Sequence, residues 1–186
     1  MPLVRLAHRA GHAAVNRVYG PDLLETVAAA SAGTPIRHFF YGAAPGVAAE
    51  LAARLTRDHP GFRLCGTHAP PHGAIEDLPL QPIVDAEPDI LWVGLGTPKQ
   101  EAFMDHAIRS GVPFGVALGV GAAFDFLTGR VAQAPVAIRR VGLEWLWRLA
   151  HEPRRLGRRY LRTVPSFATA VLLQQLGWKT YPLDRD

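Results

Sequence analysis

The chain has 186 residues, of which 48% are hydrophobic and 19% charged, and its formal net charge is +4 at pH 7. This balance is too apolar for a disordered chain, and it supplies the core of one domain or of one domain with an appendage. The single cysteine, Cys65, excludes an internal disulfide framework. Uncharged stretches such as residues 110–124 are shorter than the roughly 20 apolar residues that cross a bilayer. We therefore expect a folded chain without a transmembrane segment.

The predicted elements alternate between helix and strand over the first two thirds of the chain. Asp22 and Glu25 predict a capping box at the start of one helix. The predicted strands cover residues 36–41, 62–66, 89–95 and 114–120. This alternation predicts an α/β fold with a parallel-sheet, Rossmann-like core and right-handed crossovers.

After Pro135 the pattern is helical only. Helices are expected to begin at Pro135, Pro153 and Pro165, since proline favours the first turn of a helix. The chain is thus predicted to divide into an α/β core over residues 1–130 and a helical, arginine-rich appendage over residues 131–186.

The positive charge is concentrated in this late part of the chain. Residues 130–162 contain nine arginines and two glutamates, a net charge of +7, so the rest of the chain sums to −3. Such a field attracts an anionic partner: a phosphate, an acidic membrane surface or nucleic acid.

Four glycine-bearing segments follow the predicted strands: YGAAPG (41–46), GTH (66–68), GLGTPKQE (94–101) and GVGAAFDF (119–126). In an open parallel sheet, ligands bind beyond the carboxyl ends of the strands, where glycine lets backbone N–H groups approach a phosphate. Together the segments predict nucleotide binding, although each alone fits a tight turn equally well. The candidate ligand-binding residues are Gly42, Gly46, Thr67, Gly94, Gly96, Lys99 and Gly121.

Side chains in two of these segments add chemistry. Lys99 can pair with phosphate, and Gln100 and Glu101 fall in the first turn of the next helix. Asp125 lies in an apolar run, so its carboxylate must be paired, hydrogen-bonded or functional. His68, a lone histidine after a strand, is more often structural. No Ser/His/Asp triad is indicated. No Asp-x-Asp pair follows a strand, so a divalent metal site is not expected.

The late segment GLEWLWRLAHEPRRLGRRYLRT places Leu146 and Trp147 on one helical face and projects Arg148. Arginine forks suit phosphate oxygens, and tryptophan beside arginine suits a membrane interface. A solvated surface helix is the alternative.

These segments together resemble the WecG/TagA/CpsF family of bacterial glycosyltransferases (glycosyltransferase family 26). The blocks that carry the resemblance stand in the family's order and cover most of the chain: NRVYGPDLLE, FFYGAAPG, PGFRLCGTH, PDILWVGLGTPKQE, GVGAAFDFLTGRVAQAPV and GLEWLWRLAHEPRRLGRRYL.

The resemblance implies a nucleotide-sugar-binding core and inverting, metal-independent transfer without a cofactor. The implied donor is a UDP-sugar, typically UDP-N-acetylmannosamine or a similar hexosamine. The implied acceptor is linked to a polyprenyl diphosphate, as in the synthesis of surface polysaccharide or teichoic-acid-like polymers. The protein is then expected in the cytoplasm, in peripheral contact with anionic lipid at the inner face of the membrane.

The resemblance also implies roles for individual residues. Arg17, Gln100 and Asp125 fall at active-site positions of the family. Arg148, Arg155 and Arg158 match appendage arginines that neutralise the diphosphate leaving group.

One departure concerns the start of the chain. The family's proposed general base is the aspartate of an N-terminal Asp-Gly pair, and MPLVRLAHRAG resembles the sequence that follows that pair. We therefore expect weak or no transfer by this chain, and an exposed sheet edge that favours homo-oligomers. The alternative function is a catalytically impaired sugar-nucleotide-binding or scaffold protein. Nucleic-acid binding is disfavoured because Trp, Leu and Glu144 interrupt the arginines.

Overall fold

The computed structural model describes residues 2–151 and 153–180, which fall into two compact units. One unit is residues 16–133, and the other combines the described residues up to 15 with those from 134 onward. The elements, in chain order, are α1 (Pro2–Arg9), α2 (Gly20–Ser31), β1 (Arg37–Gly42), α3 (Val47–Asp58), β2 (Arg63–His68), α4 (Gln81–Ala86), β3 (Ile90–Gly94), α5 (Lys99–Arg109), β4 (Val116–Gly119), α6 (Ala123–Leu127), α7 (Val136–Val141), α8 (Glu144–His151) and α9 (Pro153–Gln175).

The unit of residues 16–133 is built on a parallel sheet in the order β2-β1-β3-β4. In its centre, β1 pairs with β3 from His38 opposite Ile90 to Gly42 opposite Gly94. The predicted α/β fold is confirmed. All four predicted strands are present, and their ends lie within two residues of the predicted ends.

Both faces of the sheet are covered by helices. Phe40 and Trp92 face one side, where they pack with α2, α3 and α6. Tyr41 and Val93 face the other side, where they pack with α4 and α5. Because side chains alternate between two buried faces, the central strands are mostly apolar, as the run DILWVGL indicates, and His38 is the buried polar exception in β1.

The direction of the crossovers reverses at the centre of the sheet. The crossover β1–α3–β2 covers one face and β3–α5–β4 covers the other. The strand order therefore switches between β1 and β3, which is where open α/β sheets bind ligands.

Some predicted helix boundaries are wrong. Helix α2 begins at Gly20, so Asp22 lies inside its first turn and forms no capping box. Helix α1 ends at Arg9, two residues before Gly11, which takes a left-handed φ of 92°; the sequence pattern alone predicts a helix as far as Val15. Helix α9 continues through Pro165, on an exposed part of the helix where water can hydrogen-bond the carbonyl that proline leaves unpaired.

The second unit consists of α1 and α7 to α9. Trp145 packs edge-on against Tyr160, with ring centroids 6.0 Å apart, and Leu156 is buried. Within the described ranges, none of the helices is long and apolar enough to cross a membrane. That residues 1–130 hold a nucleotide sugar and 131–186 form an appendage to it stays a prediction.

A buried hydrogen-bonded chain links β3, β1 and α2. Trp92 Nε1 donates to His38 Nδ1 at 3.0 Å, so the imidazole proton is on Nε2, 2.8 Å from Ser31 Oγ. The Ser31 hydroxyl donates to the carbonyl of Val27 at 2.7 Å. Burial lowers the pKa of His38 from 6.5 to about 4, against the opposing effect of Asp89, so the ring is neutral at pH 7.

This network makes stability depend on pH. Between pH 6.5 and about 4 the unfolded state binds a proton at His38 that the folded state does not. The free energy of unfolding is therefore highest above pH 6.5 and falls on acidification, by up to about 3 kcal/mol from this residue. His38→Gln removes that part of the pH dependence, because an amide can accept from Trp92 and donate to Ser31 without titrating.

Urea denaturation between pH 4.5 and 7.5 measures how steeply the free energy of unfolding changes with pH in each protein. His72→Gln, at an exposed histidine, is the control and keeps the slope of the unmodified chain. An unchanged slope in His38→Gln contradicts the prediction.

Candidate functional site

The two central strands end in a close backbone contact between Gly42 and Gly94. Gly42 has a φ of 118°, and a Cβ at this position would lie 2.7 Å from the carbonyl carbon and oxygen of Gly94. The N–H of Ala43 donates to the same carbonyl at 3.0 Å. Only glycine fits position 42, and it fixes where the loops after β1 and β3 begin.

Two helices begin from these loops. Helix α3 starts after Gly46, whose φ is 86°, and α5 starts at Lys99, three residues after Gly96. A helix N-terminus carries unpaired N–H groups and a partial positive charge. Both N-termini lie at the carboxyl edge of the sheet, at the point where the strand order switches, and this arrangement suits a phosphate group. The ligand-binding roles of the glycines stay predictions.

Gln100 joins the β3–α5 turn to the β4–α6 turn. Its side chain is buried, and its Oε1 accepts a hydrogen bond from the N–H of Gly121 at 2.9 Å. Its Nε2 donates to Glu101 Oε1 at 3.2 Å. The N–H of Gly121, predicted to bind a ligand, is thus already engaged by Gln100.

Lys99 reaches across the edge to the loop that follows β2. Its Nζ donates to the carbonyl of Gly73 at 3.2 Å, in an exposed bond that a phosphate can replace. The other end of the loop is held by the Tyr41 hydroxyl, which donates to the carbonyl of Pro79 at 2.9 Å. Thr67, the penultimate residue of β2, is half-buried opposite Phe40.

An aromatic pair connects Arg17 to the residue next to Asp125. The Arg17 guanidinium lies 4.4 Å from the centroid of the Tyr19 ring. The Tyr19 ring packs against Phe126, the neighbour of Asp125 on α6, at a centroid distance of 6.4 Å. Arg54 of α3 donates to the carbonyl at the end of α6, which fixes this short helix against the core.

The three predicted catalytic residues therefore converge on one segment, residues 119–127. Gln100 is bonded to its backbone, Asp125 belongs to it, and Arg17 reaches it through Tyr19. Their catalytic roles stay predictions.

The arginines predicted to bind the diphosphate lie in the second unit. Arg148 is half-buried on α8, which Trp145 joins to α9. Arg155 and Arg158 belong to α9, but their side chains lie outside the described residues.

Two contributors to the site were missed in the sequence. Thr97 Oγ1 donates to Glu101 Oε1 at 2.8 Å, and the four-residue spacing at the start of a helix is the signal that could have identified this pair. A Cβ at Gly119 would lie 2.7 Å from Gln100 Nε2. That contact has no local sequence signal, because it joins two crossovers.

The contact of β1 with β3 yields a prediction on stability. Gly42→Ala is expected to lower the free energy of unfolding by about 3 kcal/mol or more, since the methyl group meets backbone that cannot move aside. Gly46→Ala is the matched control: its φ is also positive, but a Cβ there has nothing within 4 Å. It should cost only about 1 kcal/mol, the strain of a left-handed alanine. Urea denaturation measures both variants, and equal losses would disprove the steric argument.

Comparison with known proteins connects this site to a family. The profile of the glycosyl transferase WecG/TagA/CpsF family matches residues 1–181. The chain is 37% identical, over 159 residues or 84% of its length, to an N-acetylglucosaminyldiphosphoundecaprenol N-acetyl-beta-D-mannosaminyltransferase of Bacillus spizizenii, 60% of which is covered. It is 31% identical, over 89% of its length, to the protein of the same name from Bacillus subtilis, 63% of which is covered.

The chain spans about three fifths of the length of these curated relatives. On the match of the profile over nearly every residue, and on both identities, the chain belongs to the WecG/TagA/CpsF family of glycosyl transferases.

Proposed function

We propose that this protein is a hexosyltransferase that takes a sugar, N-acetylmannosamine or a similar hexosamine, from a UDP-sugar to an acceptor linked to a polyprenyl diphosphate. The names of both relatives, which are N-acetylmannosaminyltransferases with a diphosphoundecaprenol acceptor, support this reaction class. The observation that carries the donor site is the switch point between β1 and β3, where the N-termini of α3 and α5 meet the same edge.

The diphosphate of the donor is proposed to lie at these N-termini, with Lys99 exchanging the carbonyl of Gly73 for a phosphate oxygen. A charged ammonium donor gains more from a phosphate than from a neutral carbonyl. Arg17, Gln100 and Asp125, which lie in or beside residues 119–127, are proposed to contact the sugar.

The distribution of charge supports the proposal that arginines of the second unit help to neutralise the donor. Residues 16–133 contain eight Lys and Arg against twelve Asp and Glu, a net charge of −4, whereas the remaining residues carry twelve against four, or +8. An anionic donor bound to the acidic unit needs cations from elsewhere in the protein. We assign this neutralisation to Arg148, Arg155 and Arg158.

In the transfer, the acceptor hydroxyl oxygen forms a bond to the anomeric carbon from the face opposite the diphosphate. The bond from that carbon to the diphosphate oxygen breaks, UDP leaves with the electron pair, and the hydroxyl proton passes to a base. Charge develops on the leaving diphosphate, so guanidinium groups placed there lower the barrier. Cationic side chains thereby supply the stabilisation that a metal ion gives in other transferases.

Contact with an anionic membrane is proposed for α9. Leu161, Leu172 and Leu176 are more than half exposed and spaced 11 and 4 residues apart, so they share one helical face. Trp178, 78% exposed, follows the helix beside Lys179. Residues 153–180 contain no acidic residue, and such a helix binds in the plane of an anionic interface. We place the protein at the inner face of the cytoplasmic membrane, where its lipid-linked acceptor lies.

The donor site is tested by titrating UDP and UDP-N-acetylmannosamine in a calorimeter. Lys99→Met should weaken UDP binding about tenfold, the loss of one charge-assisted hydrogen bond. Arg109→Met is the matched control, since Arg109 lies in the last turn of the same helix, where it pairs with Asp105. Failure of the unmodified chain to bind UDP at millimolar concentration would overturn the proposed function.

The membrane contact is tested by co-sedimentation with vesicles that contain phosphatidylglycerol. Leu172→Glu should weaken binding several-fold, because it places a charge in the apolar stripe of an interfacial helix. Gln174→Glu adds the same charge to the same helix on its opposite side and should retain most of the binding. An equal loss of vesicle binding in both variants would show that only the charge of the helix matters, and it would contradict insertion of the leucine face.

A further inference from the structure

The carboxylate of Glu101 receives hydrogen bonds from two neighbours of the candidate site. Thr97 Oγ1 donates to its Oε1 at 2.8 Å, and Gln100 Nε2 donates to the same oxygen at 3.2 Å. Glu101 itself is exposed, whereas Gln100 is only 6% exposed. The carboxylate therefore lies between solvent and the buried amide group.

The orientation of the Gln100 amide is fixed by the hydrogen-bond partners of its Nε2 and Oε1 atoms. A carboxylate can only accept hydrogen bonds, so Glu101 requires the NH₂ group on its side. The N–H of Gly121 can only donate, so it requires the Oε1 of Gln100, 2.9 Å away, on the other side. An amide turned by 180° would set donor against donor at Gly121 and acceptor against acceptor at Glu101, which costs more than either hydrogen bond gains.

The surrounding backbone leaves the amide little room. A Cβ at Gly119 would lie 2.7 Å from Gln100 Nε2 and 3.2 Å from Met104 Cε, so the amide packs directly on the end of β4. Gly121 lies two residues before the start of α6 at Ala123, so its position sets where that helix begins and where Asp125 lies.

We propose that Glu101 is a positioning residue of the donor site. Acting through Gln100, it holds the β4–α6 turn, and with it Asp125, in the arrangement that binds the UDP-sugar. This inference rests on the proposed function. Thr97 contributes by holding the Glu101 carboxylate over the first turn of α5.

A double-mutant cycle separates positioning from direct contact. Glu101→Ala should weaken binding of UDP-N-acetylmannosamine about tenfold, and Gln100→Ala at least as much. The double variant should bind no more than twofold more weakly than Gln100→Ala alone, because Glu101 has nothing left to position. A further tenfold loss in the double variant would show that Glu101 contacts the nucleotide itself, and it would overturn the inference.

Two further variants control for charge and for folding. Glu101→Gln keeps an oxygen that can accept from both Thr97 and Gln100, so it should recover most of the affinity. Asp105→Ala removes a carboxylate one turn further along α5, where it pairs with Arg109, and it should bind UDP-N-acetylmannosamine as the unmodified chain does. Loss of affinity in Asp105→Ala equal to that in Glu101→Ala would point to the overall charge of the helix and overturn the inference.

Amide hydrogen exchange of Gly121 gives a readout without any ligand. Its exchange should be faster in Glu101→Ala and unchanged in Asp105→Ala. Unchanged exchange in Glu101→Ala, or unchanged affinity of that variant for UDP-N-acetylmannosamine, overturns the inference while the proposed function stands. Absence of UDP binding by the unmodified chain overturns the proposed function, and the role of Glu101 at the donor site with it.

Discussion

The candidate site depends on the approach of two strand ends, at Gly42 and Gly94. Because the backbones meet there without side chains between them, the loops after β1 and β3 leave the sheet side by side and then turn to opposite faces. The N-termini of α3 and α5 are brought together as a result. Any side chain at position 42 would separate the strands and, with them, the two helix ends.

The hydrogen bonds of the site connect elements that are distant in sequence. Gln100 joins the β3–α5 turn to the β4–α6 turn, and Lys99 joins α5 to the loop after β2. These bonds lie beyond the carboxyl ends of the strands, whereas the Trp92–His38–Ser31 chain lies deep in the core. The core and the edge are thus stabilised by separate polar networks, so that substitutions at the edge can change ligand binding while the interior keeps its packing.

Much of the fold could be predicted because its signals are local. The apolar run DILWVGL indicates a strand buried on both faces, and Gly111 ends the helix that follows. Conversely, Asp22 has the sequence of a cap but lies inside α2, which begins two residues earlier at Gly20 with a proline in its first turn. The hydrogen bond from Gly121 to Gln100 could not be predicted from the sequence either. It joins residues 21 positions apart, and their contact depends on the order of the strands in the sheet.

The loop after β2 is held by the buried side chain of Leu78 and by two hydrogen bonds that use none of its own side chains. Both anchors, from Lys99 to Gly73 and from Tyr41 to Pro79, end on main-chain oxygens, which every amino acid possesses. His72, Glu76 and Asp77 point to solvent between them. The exposed positions of this loop can therefore change in evolution beside an unchanged candidate site, while Leu78 keeps the loop attached to the core.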